Sequence, residues 1–150
     1  DITDQIARIA STEDHAVELA PSALAIARLQ YPSMDGSYYL GILDAMAKRL
    51  GERIRDHKEP DLLVTRTNEF LFDEEGFRGN TDNYYDPRNS YLNEVLERKL
   101  GIPITLSIVY IEIGRRAGLR ARENWFRVSM MPCPGSWSCW WPGAVKTRYT

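Results

Sequence analysis

The chain has 150 residues, of which 43% are hydrophobic and 27% are charged, and its formal net charge is −2. This composition is typical of a globular domain that buries its own core without disulfides or metals. It excludes the strongly basic character of nucleic-acid-binding proteins. No apolar run approaches the roughly 18 residues that a membrane span requires. We therefore expect a cytoplasmic protein without nucleic-acid or membrane partners.

Helical patterns dominate the chain up to about residue 120. Ser11 or Thr12 is a predicted N-cap for a helix that begins at Glu13. Pro21 favours the first position of a second helix, because its ring already holds a helical φ angle. We expect this helix to end before Pro32, since the residue before a proline disfavours helical geometry.

A third helix is indicated by apolar residues at three- and four-residue spacing, namely Tyr39, Leu43, Met46, Ala47, Leu50 and Ile54. A fourth helix is predicted from residue 62 to residue 72. The next segment, GFRGNTDNYYDPRN, is rich in turn-forming residues and predicts a long ordered loop.

Two further helices are predicted after this loop. Asn89 or Ser90 is the expected N-cap of the helix SYLNEVLERKL, which should end at Gly101. Pro103 should begin the last helix and Gly118 should end it. This helix is apolar on nearly every side, a pattern usually found in a centrally buried helix. The residues that give it this character are Ile104, Leu106, Ile108, Val109, Ile111 and Ile113.

The tail from residue 123 to residue 150 differs in composition from the rest of the chain. It holds all four tryptophans and both cysteines, and SMMPCPGSWSCWWPGAVK has neither helical nor strand periodicity. An interaction tail, a loop over a partner, an interfacial membrane anchor and an out-of-frame translation are all compatible with this pattern, and a short hairpin is an option. Cys133 and Cys139 have no second pair of ligands, so we expect no metal site.

Polar side chains concentrate where the long loop meets the next helix: Asp86, Arg88, Asn89, Asn93 and Glu94. Arg88 can pair with Asp86 or with Glu94, while Asn89 can cap the helix. We expect this cluster to hold the loop against the last two helices. The alternative is a polar site that lines a groove at the start of the buried helix.

Three segments resemble the SirB-type transglutaminase-like family of bacterial proteins: FDEEGFRGN (72–80), YYDPRNSYLNEVLERKLGIPITLS (84–107) and YIEIGRRAGL (110–119). The lead-in ALAIARLQYPSMDGSYYLGILDAMAKRL is similar as well, so the resemblance covers residues 20 to about 122. It implies a mainly α fold, the helical portion of a transglutaminase-like (papain-like) α+β domain whose sheet is largely missing. We accordingly divide the chain into an incomplete SirB-type helical region, 1–122, and the atypical tail, 123–150.

The resemblance also implies where catalytic groups would lie. Catalytic members of the superfamily are expected to carry a cysteine at the start of the central buried helix, activated by a histidine and an aspartate from the sheet. This helix instead starts with GIPI (101–104), and its available hydroxyls belong to Thr105 and Ser107. The family's downstream Pro-Gly-His-Phe element is replaced by ARENWFRVSMMPCPG, and the histidines are His15 and His57.

We expect Thr105 and Ser107 to be ordinary helix residues that bond back to a carbonyl one turn earlier, rather than nucleophiles. The sequence therefore predicts no catalytic residues, no metal and no other cofactor. It predicts a protein that acts through contacts with other proteins, and the resemblance suggests a regulatory role. The alternative is a papain-like or transglutaminase-like hydrolase or acyltransferase that is inactive in this shortened form. The oligomeric state stays open.

Overall fold

The structure, a computed structural model, describes residues 2–11 and 18–119. Most of these residues are helical, and the mainly α fold predicted from the sequence is confirmed. The α-helices in the described ranges are α1 (Ile2–Ala10), α2 (Leu19–Gln30), α3 (Gly36–Ile54), α4 (Pro60–Asn68), α5 (Leu92–Arg98) and α6 (Pro103–Arg116). None of them is both long enough and apolar enough to cross a lipid bilayer.

The strands that the structure describes form one two-stranded sheet. β1 (Arg78–Gly79) pairs in parallel with β2 (Leu100–Gly101). The backbone N–H of Arg78 donates to the Lys99 carbonyl at 2.9 Å, and that of Asn80 donates to the Gly101 carbonyl at 3.0 Å. The pairing therefore fixes the start of the long loop beside the residues that lead into α6.

Helix α6 forms the middle of the core. It contacts α2, α3, α5 and both strands. Leu43 and Leu50 of α3 and Ile113 of α6 are 0% exposed. Burying a leucine or isoleucine side chain contributes about 1.5–3 kcal/mol, so tertiary packing supplies most of the stability of these helices. The apolar pattern of α6 matches this position, although Ile104 in its first turn remains exposed.

The C-terminus of α6 ends as the sequence predicts. Gly118 has a φ of +88°, in the left-handed region that glycine adopts without strain. The N–H of Leu119 donates to the Gly114 carbonyl at 3.0 Å, and the N–H of Gly118 donates to the Arg115 carbonyl at 3.2 Å. These two bonds form a Schellman motif, which satisfies carbonyls that a helix end would otherwise leave free.

Several helix boundaries differ from the sequence-based expectation. α2 begins at Leu19, so that Pro21 is its third residue and still lies in the first turn, where no N–H is needed. The helix expected over 62–72 is α from Pro60 to Asn68 and then widens into a π-helical turn, Glu69–Glu74. This turn places the neighbouring residues Phe70 and Leu71 in the core, each 1% exposed.

The predicted capping of α5 is wrong at both ends. A 3₁₀ turn, Pro87–Ser90, comes first, and Tyr91 occupies the N-cap position instead of Asn89 or Ser90. The helix then ends at Arg98 and not at Gly101, and its C-cap Lys99 has a left-handed φ of 58°. Both errors have a non-local cause, because Asn89 bonds to the long loop and Gly101 belongs to β2.

Some sequence-based expectations lie outside the described residues. These are the helix start at Glu13, the tail from residue 123 to residue 150 with its suggested hairpin, His15, Cys133 and Cys139.

Candidate functional site

The start of α6 packs tightly against the residues that precede it. A Cβ atom on Gly101 would lie 2.8 Å from Thr105 Oγ1, 3.2 Å from Val95 Cγ1 and 3.3 Å from Leu106 Cδ2. Distances this short leave no room for a side chain, so only glycine fits. Gly101 therefore allows the first turn of α6 to approach α5 and the long loop closely.

The hydroxyl of Thr105 joins α6 to the long loop. Thr105 is 4% exposed. Its Oγ1 accepts the N–H of Ile102 at 3.1 Å and lies 2.8 Å from the carbonyl of Asn89, to which it donates. The Ile102 carbonyl is a second acceptor at 3.1 Å. One turn later, Ser107 Oγ donates to the carbonyl of Pro103 at 2.7 Å. Both hydroxyls are thus engaged by backbone groups.

The side chain of Asn89 organises the loop from within. It is 0% exposed, and its Nδ2 donates to the carbonyls of Asn83 at 2.9 Å and Tyr84 at 3.0 Å. Its Oδ1 accepts from Asn80 Nδ2 at 3.0 Å, and Asn80 Oδ1 in turn accepts the N–H of Asn83 at 3.1 Å. The two amide side chains therefore supply hydrogen bonds to loop backbone groups, which in a helix or sheet would bond to one another.

Asp86 is the charged centre of the same loop. Its carboxylate accepts the backbone N–H of Arg88 at 3.0 Å and the Arg88 guanidinium at 2.7–3.1 Å, and Arg98 of α5 lies at 3.5 Å. These hydrogen bonds from Arg88 hold the pKa of Asp86 below its usual value. The arrangement fixes the 3₁₀ turn and links it to α5.

The predicted polar cluster is divided into two places. Asp86, Arg88 and Asn89 lie in the loop beside the start of α6, whereas Asn93 and Glu94 lie on α5 and line a different surface. Arg88 nevertheless interacts electrostatically with Glu94, so the two places are not electrostatically separate. Of the five residues, Asn93 and Glu94 line that surface and the other three do not.

Asn93 and Glu94 belong to a surface that we name the tyrosine groove. It lies between α5 and the residues that connect α2 to α3, and its volume is about 500 Å³. The side chains that give it its character are Tyr31, Tyr38, Tyr39, Asn93, Glu94 and Glu97. The Tyr39 hydroxyl donates to Glu97, and burial together with this bond raises the pKa of Tyr39 to about 12.

Glu112 is a buried charged residue that the sequence analysis did not predict. It is 1% exposed in the middle of α6, and its carboxylate accepts from Arg115 at 3.0 Å and from Arg116 at 3.1 Å. Arg116 also pairs with Asp44 of α3. The available signal is one acid in an apolar helix, followed by arginines three and four residues later. We read this network as an ionic link between α6 and α3.

Metal-ligating side chains are dispersed in the part of the chain that the structure describes. Among residues 2–11 and 18–119, no three histidine, cysteine, aspartate or glutamate side chains are grouped as metal ligands. His57 is half-buried in the connection between α3 and α4, where its backbone N–H donates to the Ile54 carbonyl at 3.0 Å.

The fold and the site together define a helical domain in which a buried helix begins beneath a hydrogen-bonded loop. A family model described as "Transglutaminase-like superfamily" matches residues 38–126, more than half of the chain, and the chain belongs to this superfamily. No solved structure matches the chain significantly.

Similar proteins occur in bacteria and in mammals. The UPF0162 protein of Xylella fastidiosa strain Temecula1 is 40% identical over 111 residues, 74% of this chain and 40% of that protein. The UPF0162 protein of Vibrio cholerae is 25% identical over 103 residues, 69% of this chain and 38% of that protein. F-box only protein 21 of Mus musculus is 40% identical over 57 residues, 38% of this chain and 9% of that protein. The chain thus spans about 40% of the length of the UPF0162 relatives.

Proposed function

We propose that this chain is a non-catalytic, SirB-type member of the superfamily that acts through contacts with other proteins, in a regulatory role. The observation that carries the proposal is the bonding of the two hydroxyls at the start of α6. The Thr105 hydroxyl donates to the Asn89 carbonyl, and the Ser107 hydroxyl donates to the Pro103 carbonyl. A catalytic nucleophile must instead give its proton to a base, and a backbone carbonyl does not serve as one.

The surroundings of Thr105 support the same reading. Catalytic relatives are expected to carry a cysteine at this helix start, where this chain has Pro103. Thr105 is 4% exposed beneath the loop, so a substrate carbonyl has no approach to its Oγ1. In the part of the chain that the structure describes, no histidine side chain hydrogen-bonds to either hydroxyl.

Exposed apolar side chains near the same helix start support a role in protein contacts. Tyr85 is 91% exposed in the loop, and Ile104 is 65% exposed in the first turn of α6. The loop is joined to this turn through Asn89, which bonds to both Tyr84 and Thr105. Exposed aromatic and apolar side chains are frequent at protein interfaces.

Labelling with acyl-transfer probes tests the non-catalytic part of the proposal. We expect a serine-directed fluorophosphonate and an activated thioester to leave Thr105 and Ser107 unmodified, because their protons are held by carbonyls. The readout is in-gel fluorescence of the native chain against a heat-unfolded sample. Labelling that needs the native fold and disappears in Thr105→Ala or Ser107→Ala would establish the alternative, a papain-like hydrolase or acyltransferase.

A further inference from the structure

The tyrosine groove has a chemical character that the fold does not require. Asp35, Glu94 and Glu97 line it, and its lining includes no lysine or arginine. In residues 2–11 and 18–119, no lysine or arginine forms an ion pair with any of these three carboxylates. Arg88 is held by Asp86 at 2.7 Å and also interacts electrostatically with Glu94, while Arg28 lines the adjoining cleft that shares Asp35 with the groove. The groove is therefore lined by three carboxylates, none of which is in a described ion pair.

Tyrosine rings line the groove beside these carboxylates. Tyr38 is 61% exposed and packs edge-to-face against Tyr39, with ring centroids 5.2 Å apart. Tyr31 packs edge-to-face against Tyr91 at 5.6 Å. The face of a tyrosine ring attracts cations, and arginine and lysine are the usual ones in proteins. An exposed ring next to carboxylates that form no ion pair favours a cationic ligand over an anionic or neutral one.

Asn93 provides an independent sign that the groove accepts a ligand. It lines the groove, it is 4% exposed, and its Oδ1 has no hydrogen-bond donor among the described residues. Buried amide oxygens are nearly always bonded. Oδ1 is closed to solvent in this structure, and a turn of the side chain toward the groove would let a ligand N–H group supply the missing donor.

A second cleft beside the groove fits the neighbouring residue of a peptide. Its volume is about 370 Å³, and it shares Met34 and Asp35 with the tyrosine groove. The side chains of Pro21, Leu24 and Leu40 give this cleft apolar walls, and Arg28 lines it as well. The two surfaces together therefore suit an extended segment in which a basic side chain stands next to an apolar one.

We infer that the tyrosine groove binds a lysine or arginine side chain of a basic peptide segment, with the cation between Tyr38 and the carboxylates of Glu94 and Glu97. The inference rests on the proposed interaction role and adds to it the chemistry of the partner. The neighbouring cleft receives an apolar residue of the same segment.

A fluorescence-anisotropy titration tests this inference. The probe is a fluorescein-labelled peptide that alternates lysine and arginine with leucine, and the reference peptide carries acetyl-lysine and citrulline at the same places. We expect the intact chain to bind the basic peptide roughly tenfold more tightly than the neutral one, because two ion pairs are lost. Equal affinities, or no binding of the basic peptide, would overturn the inference.

Paired variants locate the binding in the groove. Glu94→Gln with Glu97→Gln keeps the shape and the hydrogen-bond acceptors, and we expect it to weaken binding roughly tenfold. Glu52→Gln with Glu59→Gln removes the same charge at exposed positions on α3 and before α4, and it should bind like the original chain. If both pairs weaken binding equally, the attraction is non-specific and the inference fails.

The ring of Tyr38 gives a second test that does not depend on net charge. Tyr38→Phe should bind like the original chain, and Tyr38→Leu should bind about threefold more weakly, because only phenylalanine retains the ring face. An equal affinity for the two variants would contradict a cation on this ring. Labelling of the α6 hydroxyls is measured separately, so failure of the groove and failure of the non-catalytic function are distinguishable.

Discussion

Replacing Asn89 with alanine is expected to lower the free energy of unfolding by about 2–4 kcal/mol. The side chain is 0% exposed and makes three hydrogen bonds, to the carbonyls of Asn83 and Tyr84 and from the amide of Asn80. Alanine removes all three and leaves the buried Asn80 amide without its acceptor. Urea denaturation followed by circular dichroism measures the change, and thermal melting should fall by roughly 10 °C.

Asn83 in the same loop offers a matched control. Its side chain is exposed, while its backbone N–H and carbonyl make the bonds to Asn80 and Asn89. Asn83→Ala keeps these backbone bonds and should change the free energy of unfolding by less than about 0.5 kcal/mol. An Asn89→Ala variant as stable as the original chain would show that its amide does not hold the loop.

The second large effect is expected at Gly101. Gly101→Ala places a Cβ 2.8 Å from Thr105 Oγ1, 3.2 Å from Val95 Cγ1 and 3.3 Å from Leu106 Cδ2. We expect a loss of about 1–3 kcal/mol, since the atoms on three sides belong to packed elements that must move. Displacement of Thr105 should also loosen the loop that its hydroxyl contacts.

A second glycine and a double variant sharpen this prediction. Gly41 lies exposed in α3, and a Cβ there meets nothing within 4 Å, so Gly41→Ala should stabilise the chain by about 0.5–1 kcal/mol. Combining Gly101→Ala with Thr105→Ala should cost less than the sum of the single changes, because the shortest contact is gone. If the two changes in the free energy of unfolding simply add, the side chains at these two positions are not in steric conflict.

The regular elements of this fold are largely legible in the sequence, because local patterns specify them. The three- and four-residue spacing from Tyr39 to Ile54 corresponds to α3, and Pro103 and Gly118 lie at the two ends of α6. The burial of α6 follows from its apolar character on nearly all sides. These features depend on residues close to one another in the chain, which is the range over which periodicity and capping carry information.

The hydrogen bonds of the loop, the buried ion pairs and the two-stranded sheet depend on contacts between residues far apart in the chain. Asn89 reads as a helix cap, yet its amide bonds to the loop and its carbonyl accepts from Thr105, 16 residues later. Glu112 is buried beside Arg116, which pairs with Asp44 of α3, 72 residues earlier in the chain. The two strands have only two residues each, which is too short for an alternating pattern. The pairing of Arg78 with Leu100 is therefore not visible in the local sequence. Local sequence patterns do not show these arrangements, because the partners are far apart in the chain.

The central claim is that the Thr105 hydroxyl has a structural and not a catalytic role. Hydrogen–deuterium exchange of the amides of Asn83 and Asn89, compared between the original chain, Thr105→Ser and Thr105→Val, measures that role most directly. If the hydroxyl holds the loop, both amides are protected in the original chain and in Thr105→Ser and exchange faster in Thr105→Val, which keeps the shape but not the hydroxyl. Equal exchange in all three proteins would contradict it.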